Sequence, residues 1–367
     1  MDAVYRQAWG NPSSLHGFGL DAAEQLERCR LSLAEHLGAD SEELLFSSGG
    51  TESIHLALLG AAAALPPGRL LLSAVEHPAT TAAARQLQRQ GWQVHTVPVD
   101  QAGRIERSAL MPLLEPPTRL LSLIWGQSEV GTLQDVQAIG RLCRDAGVLL
   151  HLDAVQVVGH HPVQFRNLPV DLLSFTAHKL QGPRGVGGLL VRHGLKLAPL
   201  IGGGGQERGR RGGTEPVALV AGMTVAIELA QQRLMDGGGV DPLSVMRDAL
   251  LMALSQVKGV QLSGPDPRRG EARLAHHLSL LVCDQHGRPL PGRQMVQALW
   301  QQGIAVSSGS ACSSSAPSSA SPVLQALGYS SDVAASGLRF SLGPWLRSDD
   351  LERVPTAFER ARLSLQT

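Results

Sequence analysis

Inward positions recur at Ala23, Leu26, Cys29 (or Arg30), Leu33 and Leu37, a spacing of three and four that predicts a helix over 20–37 with Gly38 as its stop. The run Leu44-Leu45-Phe46 reads as a strand, Ser47-Ser48-Gly49-Gly50 as a loop, and Thr51 onward as a helix. Short apolar runs then predict strands over 69–74, 92–97, 120–125, 148–153, 171–175 and 186–191. Helical spacing intervenes at 79–90, 106–114 and 133–146. The strands are continuous apolar runs rather than alternations, as expected when both sheet faces are covered. Strands alternating with helices argue for an α/β fold with a mostly parallel sheet.

The pattern changes after a glycine-rich stretch at 202–213. A long helix over 216–235 ends at Asp236-Gly-Gly-Gly239, a turn or hinge. Beyond it lie helices at 243–257 and 294–302, a strand at 277–283, a helix near Val323 and a strand at 338–342, the make-up of a smaller α+β domain. The expected division is a large domain over 12–235 and a small one over 236–367, with residues 1–11 packing on the latter.

Charge narrows the function classes. Thirty-two basic residues balance 32 acidic ones, which removes the main argument for nucleic acid, membrane surface or polyanion binding. The apolar run at 54–65 is too short to span a bilayer, and no signal-peptide pattern opens the chain, so a soluble cytoplasmic protein is the expectation. The four cysteines, Cys29, Cys143, Cys283 and Cys312, form no paired motif, which argues against a disulfide framework or a structural zinc site. Glycine is in excess, 41 of 367 residues, and clusters at Gly49-Gly50, over 202–213 and at Gly309, where backbone must approach a ligand or a loop must move.

Three segments carry candidate chemistry. Asp171-Leu-Leu-Ser-Phe-Thr-Ala-His178-Lys179 puts a lysine just past a strand. Alone that is a solvated charge, but open α/β sheets bind ligands at such strand ends, and a desolvated lysine there can form a Schiff base. His-Leu-Asp153 ends another strand. Its aspartate is either a loop cap or the carboxylate that keeps the ring nitrogen of pyridoxal phosphate (PLP) protonated. Ser48-Gly49-Gly50-Thr51 opens a helix, where Thr51 is either an ordinary cap or part of a phosphate cradle.

In this order, these features resemble the cysteine desulfurases of the class V aminotransferase family, PLP enzymes of fold type I, from Gly10-Asn-Pro-Ser-Ser to Arg339-Phe-Ser-Leu-Gly343. The resemblance implies a large PLP-binding domain with a mostly parallel, seven-stranded sheet and a smaller α+β domain. It also implies that Lys179 carries the cofactor and that Asp153 faces the ring nitrogen. Gln156 would contact the phenolic oxygen, His77 would stack on the ring, and Gly50, Thr51, Thr176 and His178 would hold the phosphate. Thr214, after a glycine- and arginine-rich loop, would reach the phosphate of a partner subunit, which implies a homodimer. Arg339 would bind the substrate carboxylate, and Asn11 would also be a substrate contact. Cys312, in the serine-rich Ser307-Ser-Gly-Ser-Ala-Cys312, resembles the mobile nucleophile that accepts sulfur, while its composition alone reads as a linker.

Two positions depart from the family pattern. The opening strand and Ala-Ala-Thr-Thr segment are not visible before Gly10, and Ser128 in Gln127-Ser128-Glu129-Val-Gly131 replaces an asparagine that would reach the phenolic oxygen. Serine is shorter, so that contact is lost or bridged by water. The expected reaction converts L-cysteine to L-alanine and a persulfide, destined for a sulfur-acceptor protein in iron–sulfur assembly, tRNA thiolation or cofactor synthesis. The rival readings are a class V aminotransferase, a selenocysteine lyase, and a non-catalytic dimeric relative.

Overall fold

The computed structural model describes residues 1–309 and 320–365 of the chain. They form two compact units: residues 1–97, 107–125 and 135–239, and residues 98–106, 126–134 and 240 onward.

The first unit holds seven strands: β1 (Leu44–Ser47), β2 (Arg69–Ser73), β3 (Gln93–Val97), β4 (Thr118–Ile124), β5 (Leu149–Asp153), β6 (Leu172–Thr176) and β7 (Gly187–Val191). Their order is β1-β7-β6-β5-β4-β2-β3, and only β7 runs against its neighbours. The C-terminal ends of β2, β4, β5 and β6 therefore meet along one edge, with Ile124 opposite Asp153 and Asp153 opposite Ser174. The expected strands all form, and β4, β5 and β6 are buried almost throughout. β3 departs from the continuous apolar pattern: Gln93, His95 and Thr96 are exposed because it is the sheet's edge.

Helix Gly17–His36 buries Leu26, Cys29 and Leu33 as its spacing predicts, with Ala22 in place of the expected Ala23, and packs along helix Val217–Asp236. Gly38 follows with φ +60°, the left-handed conformation that ends a helix at low cost in glycine. The helix expected over 106–114 breaks into Arg107–Leu110 and a 3-10 turn at Met111–Leu113, where Pro112 has no N–H to donate. Helix Gly50–His55 continues through a π turn, Leu56–Gly60, into Ala61–Ala63. It packs against helix Pro78–Arg89 through a core of Ile54, Leu58, Ala83 and Leu87.

Two boundaries differ from expectation. Residues 1–11 belong to the first unit, where helix Asp2–Gln7 lies against Val217–Asp236 and the Met1 side chain against Gly222. Segments 98–106 and 126–134 belong to the second, because their polar groups satisfy one another. Thr132 donates to the Ala102 carbonyl at 2.6 Å, Gln134 accepts from the Ile105 amide at 3.0 Å, and Arg104 pairs with Glu271.

The second unit is α+β as expected. β8 (Val260–Leu262), β9 (His277–Val282) and β10 (Gly337–Ser341) form an antiparallel sheet of order β10-β9-β8. Helices Leu243–Leu254, Gly292–Gln301 and Val354–Ser364 cover it around Leu250, Leu278, Leu280, Leu299 and Phe358. No described helix is long and apolar enough to cross a membrane.

Candidate active site

The parallel strand ends gather most of the expected groups in the first unit. Asp153 closes β5, is 3% exposed, and accepts the Val155 N–H at 3.0 Å. Burial pushes its carboxyl up to about 6, while the Val155 amide and the charge of Lys179 pull the other way. At neutral pH it is an anion, and a cation beside it would hold it so more firmly. Gln156 is half-buried in the turn that follows.

Thr176 closes the adjacent β6, and the 3-10 turn Ala177–Leu180 presents His178 and Lys179, both exposed. The Thr176 hydroxyl gives its one proton to the Val186 carbonyl at 3.2 Å, so at 3.1 Å it accepts from His178 Nδ1. Burial, then the charges of Lys179 and Arg184, hold His178 below the usual imidazole range. His77 caps helix Pro78–Arg89, its Nδ1 accepting from the Ala79 amide at 3.1 Å. That hydrogen bond puts the His77 proton on Nε2. Burial, then Lys179, keep this ring neutral too. Lys179 thus acts on Asp153, His77 and His178 together, which places all four in one electrostatic neighbourhood.

The loop before helix Gly50–His55 is built by close approach. A Cβ at Gly50 would sit 2.8 Å from Val155 Cγ2, so only glycine lets this backbone lie against the turn after Asp153. The helix begins at Gly50, so Thr51 sits within its first turn and does not cap it, a correction to the simpler sequence reading. The amides of that first turn have no helical carbonyl to reach and are disposed to bind an anion. Glu52 accepts the Ser48 N–H at 2.8 Å and pairs with Arg211 at 2.9 Å, tying the glycine-rich loop to this turn. Thr214, beyond that loop, is exposed, as is Asn11, whose Oδ1 accepts the Ser13 N–H at 2.9 Å.

In the second unit, Arg339 on β10 donates from Nη1 to the Ser128 carbonyl at 2.9 Å, and His277 Nε2 donates to the same oxygen at 3.0 Å. The contact of Ser128 with these groups runs through its backbone carbonyl. Cys29 and Cys143 are buried, and Cys283 is half-buried. Burial, with Asp171 nearby, pushes the Cys143 thiol up to about 12, so it is no nucleophile at neutral pH. Cys312 lies outside the described residues.

Sequence reasoning passed over two buried polar groups here. His151 on β5 bridges Ser122 and Ser174 of the flanking strands at 2.8 and 2.7 Å. Glu76, beside His77, binds the ends of β2 and β4. A glutamate inside an otherwise apolar turn was the available signal for the second.

A model of the family described as aminotransferase class-V matches residues 1–354. The chain is 36% identical to the cysteine desulfurase IscS of Dictyoglomus turgidum, over 100% of this chain and 91% of the relative. It is also 36% identical to the cysteine desulfurase NifS of Azotobacter vinelandii, over 96% and 86%. A solved structure described as a NifS-like protein superposes with a TM-score of 0.89 at 31% identity, covering 99% of this chain and 94% of that one. With a seven-stranded sheet of this order, a lysine and an aspartate at adjacent strand ends, and such relatives along its length, the chain belongs to the class-V aminotransferase family, among its cysteine desulfurases.

Proposed function

We infer that the chain is a PLP-dependent cysteine desulfurase that converts L-cysteine to L-alanine and leaves the sulfur as a persulfide on Cys312. The observation that carries this reading is the pairing of buried, anionic Asp153 with Lys179 at neighbouring parallel strand ends, in a chain with these relatives. The residues fit PLP. The close approach of the Gly50 backbone to the turn after Asp153, the free amides of the helix start, Thr51, Thr176 and His178 suit a phosphate. Asp153 suits a protonated ring nitrogen, His77 a ring face, and Gln156 a phenolic oxygen. When bound, PLP supplies a protonated ring that accepts the electron pair left at the substrate Cα.

The chain's own groups divide the remaining work. Lys179 Nζ would hold the cofactor and take the Cα proton. Neutral His77 keeps a proton on Nε2. On the family's pattern Arg339 would bind the substrate carboxylate, for which a planar guanidinium is suited, and Asn11 would contact the substrate. Ser128, shorter than asparagine, would serve the phenolic oxygen weakly. The Cys312 thiolate forms an S–S bond to the substrate sulfur as the Cβ–S bond breaks, and the electron pair left on carbon takes a proton to become the alanine methyl group. Cysteine plus enzyme thiol thus gives alanine plus enzyme persulfide. Thr214 and the loop before it suggest a homodimer, and the persulfide is suited to transfer to a sulfur-acceptor protein in the same compartment, the cytoplasm on this reading.

The visible spectrum of the purified protein tests this. The wild type should show a PLP absorption band that changes on adding L-cysteine, and Lys179→Ala should abolish the change. A protein that takes up no PLP contradicts the reading, and a keto acid product in place of alanine would make it an aminotransferase.

A further inference from the structure

Glu76 has no part in the roles above, yet it is 92% buried at the centre of the strand-end edge, with 8% of its surface exposed. Its Oε1 accepts the Ser73 hydroxyl from the end of β2 at 2.5 Å and the Ile124 amide from the end of β4 at 2.8 Å. Its Oε2 is buried and meets no hydrogen-bond partner among the described residues. Asp153, at the end of β5 and in register with Ile124, is the charged group that faces it. The next residue, His77, is a neutral ring.

Two carboxyls therefore compete for ionisation at one buried edge. Asp153 has the Val155 N–H and the positive charge of Lys179 in its favour. Glu76 has both of its donors on a single oxygen, so ionising it would strand charge on an oxygen that nothing solvates. Like charges that act on each other in a dry site do not both persist. Burial pushes Glu76 up to about 8, opposed by the Ser73 and Ile124 hydrogen bonds and reinforced by Asp153.

We propose that Glu76 is a positioning residue that keeps its proton at neutral pH, so that Asp153 stays the sole anion of the pair while Glu76 clamps the ends of β2 and β4 beneath His77. Its functional meaning rests on the reading of Asp153 and His77 as cofactor contacts, but the protonation itself does not.

The test uses the full chain, first free of PLP. The infrared difference between wild type and Glu76→Gln at pH 7 should contain the carbonyl stretch of a protonated carboxylic acid, and the difference with Asp153→Asn should not. A protonated band lost in Asp153→Asn instead, or in neither variant, overturns the proposal. The folded-to-unfolded ratio supplies a second readout. A proton held up to about pH 8 in the fold but released near 4.5 when unfolded makes that ratio fall about tenfold per pH unit between those values. Glu76→Gln should lack this fall, and identical slopes in the two proteins overturn the proposal. PLP binding, followed by absorbance, then tests the clamp. Glu76→Leu should raise Kd at least about tenfold for two lost hydrogen bonds, and Glu76→Gln should recover most of that loss. A Glu76→Leu protein that binds PLP as the wild type does overturns the positioning role. Failure of the wild type to bind PLP at all would instead count against the desulfurase reading, leaving the infrared result intact.

Discussion

Around the ends of β2, β5 and β6, burial and the charge of Lys179 act on three neighbouring groups, Asp153, His77 and His178. In the cofactor-free protein Asp153 is an anion only while pH stays above about 6, so uptake of PLP should weaken as pH falls through that value, measured by absorbance. Asp153→Asn removes the anion at every pH and should lower kcat/KM by about 10²–10³, measured as alanine formation at pH 8. His151 makes the opposite demand on the fold. Burial depresses its ring to about 3, so the unfolded chain binds a proton that the folded chain refuses between about 6.5 and 3. Stability should therefore drop as pH is lowered through that window. His151→Gln should flatten the dependence in urea titrations at pH 7, 6 and 5. Lys179 and Asp153 were legible in the sequence because each follows an apolar run at a strand end. His151 and Glu76 were not, because Ser122 and Ser174 lie 29 and 23 residues from His151, and Ile124 lies 48 from Glu76. Only strand order reveals such partners.

Among the elements, most strands and helices follow from apolar spacing alone, and the departures have local causes. Pro112 interrupts a helix, β3 is polar because it is an edge, and Thr51 slips into a helix that starts one residue early. The glycine-rich loop was read as mobile or ligand-directed, yet part of it is rigidly held. Glu207 and Arg208 adopt the left-handed conformation without being glycine, at φ 48° and 57°. Arg30 of helix Gly17–His36 holds Glu207 through two hydrogen bonds of 2.9 and 2.8 Å in a buried pair, and Glu207 also accepts the Phe46 amide of β1 at 3.0 Å. Arg30→Met would leave the Glu207 charge buried without its partner. It should destabilise the protein by about 3–5 kcal/mol, seen as a lower urea midpoint with an unchanged slope. A shift within error would mean that the loop is held by other contacts.

On the scale of the whole chain, the division into a large α/β unit and a small α+β unit was readable from the change in pattern after the glycine-rich stretch. The membership of residues 1–11 and of segments 98–106 and 126–134 was not, since short segments are assigned by whichever polar groups satisfy theirs, as Thr132 and Gln134 do. The desulfurase reading joins the strand-end groups to one cysteine. The measurement that tests it most directly is alanine released from L-cysteine by the PLP-loaded protein with a reductant present, in wild type and in Cys312→Ala. The account predicts repeated turnover with sulfide matching alanine in the wild type, and a loss of at least about a hundredfold in the variant. No alanine from the wild type, or equal turnover in the two proteins, would contradict it.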